Sequence, residues 1–108
     1  MKIKSGVSFN GIQPETIMGM LIAETVLREM GFNFTATSIT DGKHRANSLH
    51  YAGLAFDVRT WSDMHGNQLH EDVKQELARQ LRKALGDEWD VVVEATHIHC
   101  EFHPKEAV

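Results

Sequence analysis

The sequence holds a single cysteine, Cys100. One thiol excludes an intrachain disulfide framework and any cysteine-rich zinc ribbon. No apolar run approaches the ~20 residues of a membrane-spanning helix, and the opening Met1-Lys-Ile-Lys-Ser-Gly stretch lacks the apolar core of a signal peptide. There is no basic block in a chain of net charge −4, which argues against nucleic acid as the main partner. Internal repeats, low-complexity tracts and Pro/Gly/Ser linkers are also missing. With 108 residues, 42% of them hydrophobic, the chain is long enough for one domain, 1–108, with a core of its own. Residues 105–108 read as a loose tail.

What the sequence does have is histidine. There are seven, all between His44 and His103, against six lysines and eight leucines. Histidine is the commonest protein metal ligand and titrates near neutrality, so the question is whether these side chains meet.

Two helices are expected. The first covers about 14–30: Pro14 suits a first helical position, and Ile17, Met18, Leu21, Ile22, Val26, Leu27 and Met30 recur at helical spacing before Gly31. The second covers about 69–85. Leu69, Val73, Leu77 and Leu81 step by four, acids stand in its first turn and bases in its last, and Gly86 ends it. Strands are expected over 34–40, 54–60, 89–94 and 97–102, with loops over 41–53 and 61–68. This order predicts an α+β domain, with two main helices on one face of a small, mostly antiparallel sheet.

Strand parity selects the chemistry. His97 and His99 share a face, opposite to Ile98 and Cys100, which makes Cys100 a small core residue. Asp57 points away from Leu54, Phe56 and Val58. If these polar sides belong to one face of one sheet, two imidazoles and a carboxylate converge, and His50 can join them from the loop. Three N/O ligands with an open fourth position make a catalytic zinc site. A two-residue turn at Ala95-Thr96 would set Glu94 opposite His97 on that same face. His44, His65, His70 and His103 read as ordinary structural or solvated histidines.

The string Ser48-Leu-His50-Tyr-Ala-Gly53-Leu-Ala55-Phe-Asp57, followed by His97-Ile-His99-Cys100, resembles a zinc-peptidase family. That family contains D-alanyl-D-alanine carboxypeptidases, bacterial and phage peptidoglycan endopeptidases, and hedgehog amino-terminal signalling domains. The resemblance spans roughly 41–101. It implies a hedgehog/DD-peptidase-like fold and Zn2+ held by His50, Asp57 and His99. Glu94 or His97 would activate water or steady the oxyanion, and Ser48 would support the motif. Asp41 stands where peptidoglycan-cleaving members often carry an arginine that grips a substrate carboxylate; Arg45 or Lys43 is expected to take over.

The expectation is therefore a monomeric zinc metallopeptidase acting on peptidoglycan stem peptides, as a carboxypeptidase or endopeptidase. It would be made in the cytoplasm without a signal peptide and reach the wall through phage-assisted release, with neither nucleic acid nor membrane as partner. The alternative is a catalytically silent, hedgehog-like zinc-binding module for recognition.

Overall fold

A computed structural model of the chain describes residues 1–41 and 52–104. In chain order the elements are β1 (Lys2–Ile3), α1 (Pro14–Glu29), β2 (Thr35–Ser38), β3 (Ala55–Arg59), α2 (Glu71–Leu85), β4 (Trp89–Val93) and β5 (His97–Phe102). The strands form one five-stranded sheet in the order β1-β2-β3-β5-β4. Only the short β1 runs parallel to its neighbour; the other three pairings are antiparallel. The class is α+β with a mixed sheet and two helices. None of the described helices is long and apolar enough to cross a membrane.

The register divides the sheet into two chemically distinct faces. Val58 opposes Ile98, and Phe56 opposes Cys100; Val91 stands opposite Cys100 on the other side. These residues are buried with Leu27, Leu77 and Leu81 of the helices, so both helices cover this one face. The alternate positions Asp57, Arg59, His97, His99 and Glu101 project from the other face, as the period of two requires.

In α1 the buried positions are Thr16, Gly19, Met20, Ala23, Val26 and Leu27. Ile17, Met18 and Leu21, expected in the core, stay exposed. Two contacts fix this rotation. The Thr16 hydroxyl donates to the Gly53 carbonyl at 2.7 Å, and the Trp89 indole lies against Gly19, where an added Cβ would sit 2.4 Å from the ring. Trp89 also meets Phe56 edge to face, centroids 5.7 Å apart.

Gly53 holds the entry to β3. Its φ is +74°, and a Cβ there would lie 2.0 Å from the Gly11 carbonyl oxygen, so only glycine fits without strain. Its carbonyl also accepts from the Gln13 N–H at 3.0 Å. The start of β3, and hence Asp57, is thereby tied to the start of α1.

α2 begins two residues later than its apolar pattern, because His70 serves as its N-cap and accepts from the Asp72 N–H. Leu77, Ala78 and Leu81 fill its buried stripe together with Lys74. The buried Lys74 donates from Nζ to the Ala95 carbonyl at 2.9 Å. Arg82 reaches the Val91 carbonyl at 2.8 Å. The helix thus grips both the β4 edge and the turn that leads into β5.

Candidate metal and catalytic site

The polar face carries the site. Asp57 and His99 are directly opposed on β3 and β5, and Asp57 is only 6% exposed. A carboxylate at that depth needs a partner. His99 Nδ1–H donates to Asp57 Oδ1 at 2.9 Å, and His99 Nε2–H donates to Glu101 Oε1 at 2.7 Å. Carboxylate acceptors at both ring nitrogens favour the protonated ring. Its pKa is raised above the ordinary histidine value, chiefly by the Asp57 hydrogen bond, with Glu101 adding to it and burial opposing.

His97 is the next same-face residue on β5. Its Nε2 lies 3.6 Å from Asp57 Oδ2, an ion-pair distance rather than a hydrogen bond. On its other side Nδ1 faces the Thr96 hydroxyl at 3.1 Å. Asp57 therefore has an imidazole at each oxygen.

Glu94 closes the β4–β5 hairpin. Its N–H donates to the His97 carbonyl at 2.8 Å, which makes Ala95-Thr96 a two-residue turn and sets Glu94 opposite His97. No described non-glycine residue has positive φ, so the turn is not the primed type that tight hairpins favour. The Lys74 ammonium on the Ala95 carbonyl braces it instead. Glu94 itself is exposed.

The structure thus brings Asp57, His97 and His99 together, with Glu94 at the end of the same face. His50, Ser48 and Arg45 lie outside the described residues, as do Lys43 and His44. Asp41 accepts the Ile39 N–H on Oδ1 at 3.0 Å and so closes the turn that follows β2. Cys100 faces the core and is fully buried, which pushes its thiol pKa up. His65 and His70 are exposed.

Glu101 is the residue that the sequence reading missed. The parity that joined His97 to His99 continues to 101, and that was the available signal. Its contact with the outer nitrogen of His99 is the geometry by which a carboxylate orients a metal-ligating imidazole. Glu101 also belongs to the only trio among the described residues whose ligand atoms all lie within 4.8 Å of one another, with Asp90 and His103. That trio is largely solvent-exposed, and its His103–Asp90 contact is 3.4 Å.

The donor set at Asp57 fits a borderline divalent cation. Its atoms are nitrogen and oxygen only, and Asp57 Oδ1 and His99 Nδ1 are close enough to share one ion once His99 yields its Nδ1 proton. Compared with family models, curated proteins and solved structures, the chain matches none.

Proposed function

We propose that the chain is a zinc-dependent peptidase of hedgehog/DD-peptidase-like fold that hydrolyses short peptidoglycan stem peptides. The observation that carries the reading is the in-register Asp57–His99 pair, with Glu101 behind His99. Asp57 and His99 would hold the ion with His50 of the resembled motif. Zinc at such a site acidifies water and polarises a carbonyl.

The remaining work falls to the chain. Glu94, opposite His97 at the hairpin end, takes a proton from the attacking water and returns it to the leaving amine. His97, held between the Thr96 hydroxyl and Asp57, presents an N–H to the oxyanion. Glu101 keeps the His99 ring in one orientation. Zinc is thus assigned two described donors, leaving His97 for hydrogen bonding.

The test is a turbidity assay on purified cell walls. The expected result is a fall in turbidity that chelation stops and zinc restores. A chain that binds zinc but leaves both walls and free D-Ala-D-Ala intact would be the recognition module instead. Glu94→Gln separates the two: it abolishes hydrolysis in a peptidase and changes nothing in the module.

A further inference from the structure

Lys74 and Asp57 are the two charged side chains that the fold buries among the described residues. Asp57 belongs to the proposed metal centre, but Lys74 has no role in the mechanism above. It stands in the first turn of α2, where its backbone N–H donates to the His70 carbonyl at 3.0 Å, and it is 4% exposed. No carboxylate among the described residues pairs with it. Its Nζ meets the Ala95 carbonyl instead, at 2.9 Å and 21 residues further along the chain.

Stability gives little reason for this arrangement. Taking an ammonium out of water is costly, and an apolar side chain of similar size in its place is often neutral or better. The acceptor does not need it either, because Ala95 is exposed and water can reach its carbonyl. What the bond does is hold a turn that its own residues leave loose. Ala95 and Thr96 lack the positive φ of a tight primed turn. α2 is firmly seated, with Leu77, Ala78 and Leu81 buried and Arg82 on the Val91 carbonyl at 2.8 Å, so Lys74 ties the turn to a rigid element.

The turn carries the groups that work at that end of the polar face. Its closing bond joins the Glu94 N–H to the His97 carbonyl at 2.8 Å. The Thr96 hydroxyl lies 3.1 Å from His97 Nδ1, and His97 Nε2 lies 3.6 Å from Asp57 Oδ2. A line of contacts therefore runs from the Lys74 ammonium through Ala95 and Thr96 to the His97 ring. We propose that Lys74 is a positioning residue, which by holding Ala95 keeps Thr96 on His97 and keeps His97 and Glu94 aimed at the Asp57–His99 centre. The work of Glu94 and His97 rests on the peptidase reading; the ordering of the turn rests on Lys74 alone.

The experiment uses the whole chain and NMR, with Lys74→Met and Lys74→Arg beside wild type. In wild type the Lys74 ammonium protons are expected to exchange about ten-fold more slowly than those of the exposed Lys83. The Ala95 and Thr96 amides are expected to be as ordered as the sheet, with order parameters of about 0.85. Lys74→Met should melt close to wild type, yet its Ala95 and Thr96 order parameters should fall below about 0.6 while Leu81 and Ile98 stay rigid. The His97 ring resonances should move and those of His99 should not. On a stem peptide ending in D-Ala-D-Ala, the zinc-loaded variant should lose about ten-fold in kcat with KM little changed, and Lys74→Arg should recover part of it. Ammonium exchange in wild type as fast as at Lys83, which needs no variant to fold, overturns the proposal. So does a Lys74→Met turn as ordered as wild type, a loss of order spread through the whole domain, or a loosened turn with unchanged kcat. Failure of zinc-loaded wild type to cleave any peptide overturns the peptidase reading instead and leaves the order-parameter comparison intact.

Discussion

Asp57 and His99 face each other across β3 and β5, with His99 Nδ1 2.9 Å from Asp57 Oδ1 and His99 Nε2 2.7 Å from Glu101 Oε1. One imidazole is clamped between two carboxylates, one buried and one at the rim. The arrangement has a consequence for each of its members.

Glu101 should control metal affinity without touching the metal. Glu101→Ala is expected to weaken zinc binding by roughly 10- to 100-fold, the usual effect of losing an orienting partner. Glu101→Gln, which can still accept from Nε2–H, should lose less. Chelator competition measures both.

The metal-free protein should be more stable on the acid side of neutrality. His99 holds its proton more tightly folded than unfolded. Its stabilisation is therefore complete below the ordinary histidine pKa of about 6.5 and is lost as pH rises through the raised folded value. Thermal melts of chelator-stripped protein across that window should show the decline, and His99→Gln should flatten it. NMR titration of His99 gives the folded pKa directly.

The legible part of the sequence was the alternation in β3 and β5. Asp57, His97 and His99 stand on one face because a strand has a period of two, and their neighbours Phe56, Val58, Ile98 and Cys100 are apolar enough to fix which face is buried. The same parity set Glu94 against His97 once a two-residue turn was assumed. α1 was misread because it is apolar around most of its circumference. Its rotation is decided by Thr16 and Gly19, neither hydrophobic, through a hydrogen bond to Gly53 and a seat for Trp89. Those contacts are long-range and leave no local periodicity. β1, two residues long, is too short for any pattern to mark. The Lys74 brace on Ala95 was equally hidden, since a lysine among helix residues reads as solvated surface.

The seat at Gly19 yields a stability prediction. Gly19→Ala should destabilise the fold by about 1–3 kcal/mol, because overpacking against Trp89 outweighs the gain in helix propensity. Combining it with Trp89→Leu should cost less than the two changes summed, as expected for residues in contact. Denaturant melts of the three variants test this.

Gly53→Ala should be worse. The new side chain meets the Gly11 carbonyl in a backbone conformation already unfavourable to it. A loss of at least about 2 kcal/mol is expected, on the order of 10 °C in melting temperature. Met18→Gln, on the exposed side of α1, should stay within about 0.5 kcal/mol of wild type.

If Asp57 and His99 hold one zinc ion, equilibrium dialysis of the chain against zinc will read its stoichiometry. One tightly bound zinc per wild-type chain is expected, with binding lost in Asp57→Asn while circular dichroism still reports the folded domain. A folded wild-type chain that retains no zinc, or an Asp57→Asn chain that binds it as tightly as wild type, would contradict it.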